Sequence, residues 1–179
     1  MAESFRINKR QAQAPAIVEV RGQYLAFRLG SETFAMDIRS IKEVIQYSSL
    51  TVVPLMPPFL RGVINLRGSV VPVIDLSVRF GHPSTEVAKR TCIVILELEQ
   101  EGKYIALGIM VDHVSEVLEI AESEIDPTPA FGTDLRSDLI RGIGKVGSRF
   151  TIILDVNNVL SIEELASLAS GRETAGAKV

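Results

Sequence analysis

The chain carries almost none of the side chains that metal, redox or nucleophilic chemistry needs. Among its 179 residues there is one cysteine, Cys92, two histidines, His82 and His113, and no tryptophan. A single thiol leaves no intrachain disulfide and fits a reducing compartment. Two separated histidines and one cysteine do not assemble a zinc site, and the carboxylates stand singly or in ordinary surface pairs, so no metal is expected. The glycines form neither a GxGxxG nor a Walker pattern, which removes the usual nucleotide cradles and leaves no cofactor expected. With no tryptophan and three tyrosines, platforms for stacking single-stranded nucleic acid or polyproline are missing too. Nineteen Lys and Arg against 22 Asp and Glu give a net charge of −3. These charges are scattered, with no basic stripe to follow a phosphate backbone, so no nucleic-acid partner is expected. No apolar run approaches the roughly 18 residues of a membrane-spanning helix. The polar start, MAESFRINKRQAQAPA, lacks the apolar stretch of a secretory signal. The expectation is a cytoplasmic protein with no direct membrane insertion.

What is present is a series of short apolar and β-branched runs separated by Gly and Pro. They are Tyr24–Leu29, Thr33–Ile38, Gly62–Leu66, Val70–Ile74, Thr91–Leu98, Tyr104–Val111, Gly142–Val146 and Phe150–Leu154. Strands of this length without intervening long helical patterns indicate antiparallel barrels or a sandwich. Residues 1–17 mix charge, Gln, Ala and Pro without period and read as a flexible N-terminal tail. A helical turn is expected at Leu76–Phe80, ended by Gly81. The chain closes on a helix over 161–170: Ser161 and Glu164 form a capping box, Ile162, Leu165, Leu168 and Ala169 make an apolar stripe, and Gly171 stops it. Residues 171–179 read as frayed.

The sequence also repeats itself. At an offset of 73, FAMDIRSIKEVI (Phe34–Ile45) lies over LGIMVDHVSEVL (Leu107–Leu118), with Glu43-Val44 over Glu116-Val117 and Pro54 over Pro127. At an offset of 80 the match resumes, Arg61-Gly62-Val63 over Arg141-Gly142-Ile143 and Asp75 over Asp155. The difference places about seven extra residues around Phe131–Asp138. Apolar runs align with apolar runs by chance; the ordered Pro, Gly and charged identities are what favour duplication. The core domain, 18–160, is therefore read as a first half, about 23–83, and a second half, about 90–160. Two such small β units would share a core at their junction and leave a groove there.

Three places stand out as functional candidates, each beside a plainer reading. Arg67 sits at the corner of a hairpin, Gly62–Ile74, where its guanidinium is either a fork for a carboxylate or a solubilising turn residue. Glu43 is one acid among Ile41, Val44 and Ile45, either part of an apolar interface with a polar rim or a solvated strand-end charge. Asp112-His113 could orient an imidazole for base catalysis, yet no Ser or Cys nucleophile motif accompanies it, and a polar turn is the simpler reading. Cys92 opens an apolar strand, CIVIL, the setting of an inert thiol.

The run GVINLRGSVVPVIDL (Gly62–Leu76) closely resembles the signature of CheW-type coupling proteins, GxxNLRGxxxPxxDL. The upstream FAMDIRSIKEVI, the downstream IALGIMVDHVSEVLEI, the IDPTP segment and the closing strand and helix match the same family in the same order. The resemblance covers roughly Gln23 to Leu168. It implies a mainly β fold of two SH3-like five-stranded barrels packed on a shared core, with a C-terminal α-helix. It also implies a non-enzymatic adaptor of bacterial chemotaxis, coupling the cytoplasmic hairpin tips of chemoreceptors to the regulatory domain of the histidine kinase CheA. Such a protein is cytoplasmic and recruited to receptor arrays at the inner face of the membrane. Carried over position by position, Glu43 and Arg67 fall at receptor-coupling positions and pair with each other, with Ile41, Gly62, Asn65 and Leu66 as contributors. In the second half, Asp112 and Val114 are the groove candidates. There Lys145-Val146-Gly147 replaces Asn65-Leu66-Arg67-Gly68, so the arginine corner is lost, and the halves are expected to have divided their partners. The alternatives are the same adaptor role in a pilus-motility or biofilm chemosensory pathway, and a small enzyme built on Asp112-His113.

Overall fold

The computed structural model describes residues 20–127 and 139–159. The expected N-terminal tail, the loop at 131–138, the helix over 161–170 and the frayed end lie outside the described residues. Eleven strands and one short helix follow in order: β1 (Arg21–Leu29), β2 (Glu32–Asp37), β3 (Ile41–Gln46), β4 (Leu60–Leu66), β5 (Ser69–Asp75), α1 (Leu76–Arg79), β6 (Cys92–Gln100), β7 (Lys103–Val111), β8 (His113–Ala121), β9 (Ile125–Asp126), β10 (Ile140–Val146) and β11 (Arg149–Leu154). Each of the eight apolar runs in the sequence falls on one of these strands, two of them overrunning it by one residue, at Ile38 and at Thr91. The sequence reading had no strand at β3, at β8 or at the two-residue β9; β3 and β8 carry charges along half-exposed strands.

Two sheets form the two SH3-like barrels. One has the order β3-β6-β7-β5-β4 and the other β8-β1-β2-β11-β10-β9. The sequence halves are therefore not the barrels. Each half gives its leading hairpin to the other half's strands: β1–β2 pairs with β8 and β11, while β6–β7 pairs with β3 and β5. The two exchanges are related by the sequence repeat. Val73 stands beside Gly108 in the parallel β5–β7 pair, and Ile153 beside Ala35 in the parallel β11–β2 pair.

The exchange explains why the leading hairpins are apolar on both faces. On β6 and β7, Val94, Leu96, Leu107, Ile109 and Val111 enter the core shared by both barrels, where Phe27, Phe34, Met36 and Leu154 meet them. Their neighbours Ile93, Ile95 and Met110 fill the interior of the first barrel with Ile64, Val71 and Val73. A strand buried on both faces reads as a continuous apolar run, as CIVIL does, rather than as an alternation. In the second barrel Tyr24, Ala35, Ile120 and Ile153 take the same interior role.

Local details repeat as well. The β4–β5 ladder slips by one residue between Leu60 and Gly62, and the β10–β11 ladder between Ile140 and Gly142. Each slip is a bulge that turns an arginine, Arg61 or Arg141, out of the ladder. Glycine follows because another chain segment crosses there: a Cβ on Gly62 (φ 153°) would lie 2.5 Å from the Thr51 carbonyl oxygen, and one on Gly142 2.6 Å from that of Asp126. Asp75 starts α1 by accepting from the Ser77 backbone N–H, the helical turn expected from the sequence.

Candidate functional site

β3 and β4 are the two edges of the first barrel's sheet. Glu43 lies on β3 opposite Ile95, just past a bulge at Lys42. Its neighbours Ile41 and Ile45 are half-buried, the first packed on the shared core and the second on the barrel interior. Arg67 is the first residue of the two-residue corner between Leu66 and Ser69, with a left-handed φ of 52° followed by Gly68 at 87°. Non-glycine residues adopt that region rarely and at a cost in strain. From this corner the guanidinium meets the Glu43 carboxylate with both prongs, Nη1 to Oε1 at 2.6 Å and Nη2 to Oε2 at 3.0 Å.

The Glu43–Arg67 pair thus ties one edge of the first barrel to the hairpin corner at its other edge. The side chains are unequally exposed, Glu43 at 23% and Arg67 at 71%. The hydrogen bond from Arg67 holds the Glu43 carboxyl below the ordinary glutamate value, and the same bond raises the Arg67 guanidinium above its own. A guanidinium has five N–H donors, so several of Arg67's still face outward. Exposed apolar side chains accompany it on the same barrel: Val44 on β3 and Val70 on β5.

The remaining sequence candidates divide by what they touch. Leu66 is half-buried against the first barrel's interior. Asn65 is exposed, and its Oδ1 accepts the Gly68 N–H at 2.8 Å. Gly62 is buried at the bulge, so its part is to let Thr51 pass and to set the line of β4. Asp112 and Val114 lie elsewhere. Asp112 makes the crossing from β7 to β8; its backbone N–H donates to the Arg28 carbonyl and its Oδ2 accepts the Gly30 N–H at 2.7 Å. The carboxylate ties the β1–β2 turn to the first barrel. Val114 is half-buried against the shared core, as its repeat counterpart Ile41 is. A junction cleft of about 870 Å³ is lined by Leu29, Gly30, Thr85, Asp112, and both histidines among others, but not by Glu43, Arg67 or Val114. Cys92 is half-buried rather than enclosed, with its Sγ 3.1 Å from the Arg90 carbonyl oxygen.

One polar cluster went unread in the sequence. Asp75 is fully buried and accepts from Arg61 Nη1 (2.8 Å), Ser77 N (3.1 Å), Thr85 N (2.8 Å) and Thr85 Oγ1 (2.8 Å). A buried carboxylate needs such partners. Together they pin the segment 82–91 against the barrel. The signal was the repeated Arg-Gly and Asp of the two halves, yet the counterpart differs: Arg141 bonds Tyr24 Oη and Glu122, and Asp155 accepts from Asn157 N and Asn158 Nδ2.

The CheW-like domain matches residues 23–164. The chain belongs to the CheW family. That places it among the scaffold proteins of chemotaxis signalling. It is 36% identical to the chemotaxis protein CheW of Klebsiella aerogenes over 80% of this chain and 84% of that one. Against the chemotaxis protein CheW of Bacillus subtilis the identity is 33%, over 85% of this chain and 95% of the relative. The crystal structure of the scaffolding protein TtCheW from Thermoanaerobacter tengcongensis superposes with a TM-score of 0.71 at 33% identity, covering 81% of this chain and 96% of that one. In this CheW-family chain no helix among the described residues is long and apolar enough to cross a membrane.

Proposed function

We propose that this CheW-family chain ties chemoreceptors to the histidine kinase CheA by binding both. The receptor's cytoplasmic hairpin tip docks on the first barrel at the Glu43–Arg67 pair, with Ile41, Asn65 and Leu66 around it and Gly62 shaping the strand beneath. Asp112 and Val114 contribute through the shape of the junction, since both are engaged inside the fold. The kinase's regulatory domain meets the barrel ends, and the chain is recruited to receptor arrays at the inner face of the membrane. The observation that carries this reading is the bidentate pair: a charged fork held rigidly by its own carboxylate, largely exposed, on a barrel that also exposes Val44 and Val70. A partner can dock apolar surface there and offer a carboxylate or carbonyl to the unused guanidinium donors without first ordering a long side chain. The second barrel's corner, Gly147-Ser148, offers no such fork, which supports unequal partners for the two barrels.

The test is a pull-down with the host's receptor cytoplasmic fragments and the CheA regulatory domain. Retention of both in a ternary complex is expected. Retention of neither would overturn the proposal, and retention of the kinase domain alone would remove the receptor role from this site.

A further inference from the structure

Four hairpins in this fold turn on two residues, at Gly30-Ser31, Arg67-Gly68, Glu101-Gly102 and Gly147-Ser148. The residue two before each corner is Arg28, Asn65, Glu99 and Lys145 respectively. Only at the Arg67 corner is it an amide, and its Oδ1 accepts the N–H of the second corner residue, Gly68, at 2.8 Å. The turn itself does not require this bond. Glu101-Gly102 takes the same pair of left-handed dihedrals, 51° and 77°, with Glu99 in Asn65's place. Where the corner residue is Gly147, at φ 62°, Lys145 has taken the position and pairs with Asp126 instead. The extra bond occurs where a long side chain must leave a left-handed residue in one direction, toward Glu43.

We infer that Asn65 is a positioning residue: its side-chain carbonyl locks the Arg67-Gly68 corner so that the Arg67 fork meets the Glu43 carboxylate, and it acts in partner binding through Arg67 rather than by contact of its own. The inference rests in its binding arm on the proposed receptor role, and in its other arm on the geometry alone. Without the Asn65 bond the corner keeps its turn type but gains freedom about its peptide planes. A bidentate bond is sensitive to that freedom, because both N–H groups must stay aligned with both oxygens.

Two measurements test it in the full chain. The first follows the Glu43 side-chain carboxyl by NMR through an acid titration in the wild type, Asn65→Ala and Asn65→Gln. Gln keeps the amide but carries it one methylene too far. Glu43 is expected to titrate closer to the ordinary glutamate value in both variants, with the strand signal in circular dichroism unchanged. An unmoved Glu43 midpoint would overturn the inference whatever the receptor does. The second is a double-mutant cycle on receptor-fragment affinity. Asn65→Ala is expected to weaken binding roughly threefold to tenfold in the wild type, the range of one lost hydrogen bond, and less than about twofold in an Arg67→Ala background, because coupled residues do not add. Equal losses in both backgrounds would make Asn65 a direct contact and overturn the positioning role.

Discussion

Asp75 and Asp155 start equivalent turns in the two units, each accepting the backbone N–H two residues on at 3.1 Å, but only Asp75 is reached by the bulged arginine of its own hairpin, Arg61, at 2.8 Å. The same duplicated pair has become a buried anchor in one barrel and two groups bonded to other partners in the other. Asp75 is wholly enclosed, whereas Arg141 and its partner Glu122 are 35% and 70% exposed. Removing one partner of a buried pair strands a charge, while removing one of an exposed pair does little.

Arg61→Ala is therefore expected to cost about 3 kcal/mol of stability and Arg141→Ala less than about 1 kcal/mol, read from the midpoints of urea unfolding. Equal costs would show that the Asp75 cluster does not anchor the segment 82–91.

The exchange of hairpins makes a second, independent prediction. Each barrel contains strands from both sides of the segment 82–91, so a cut there leaves neither fragment with a complete barrel. A protease site placed at Glu86–Lys89, which is exposed at Glu86, Val87 and Lys89 and follows the pinned Thr85, should give a nicked protein that elutes from size exclusion as one particle with its strand signal intact. Separation of the two fragments without denaturant would contradict the interlocked topology.

The ion pair at Glu43 sets a pH dependence. Arg67 holds the folded carboxyl below the ordinary value of 4.5, so the folded state binds the proton less readily than the unfolded chain. The stabilisation is fully present above that ordinary value and is lost as pH falls through the depressed one. The stability gap between wild type and Arg67→Ala should be constant from pH 7 to about 5 and shrink at more acid pH, and high salt should narrow it throughout. A gap that persists unchanged into strong acid would mean that the pair does not form in solution.

How much of this was legible depends on the strand. Runs such as Leu107–Val111 announced themselves because consecutive residues, on both faces, are buried and none is charged or polar. β3 and β8 did not, because each is a charged edge whose alternation is broken by a bulge, at Lys42 and at Ser115. The repeat was visible in its Pro, Gly and charged identities, but the hairpin exchange was not: a two-faced strand such as β6 carries no mark of which half it will pair with, and packing decides. The Glu43–Arg67 pair was reached through family resemblance. Geometry supplied the rest, including the enclosed Arg61–Asp75 cluster, whose members are separated by a whole hairpin, and the engagement of Asp112 with Gly30.

The affinity of the Arg67→Glu variant for the receptor's cytoplasmic fragment, measured by calorimetry beside the wild type and the charge-reversed double variant Glu43→Arg/Arg67→Glu, addresses the central claim most directly. Arg67 is exposed, so the fold is expected to survive, as circular dichroism will report. Two facing carboxylates repel, and the fork that a partner would use is gone, so receptor binding should fall by at least about tenfold while binding to the kinase regulatory domain stays near the wild-type value. Receptor affinity unchanged in a folded Arg67→Glu variant would contradict the assignment of the receptor site to the Glu43–Arg67 corner.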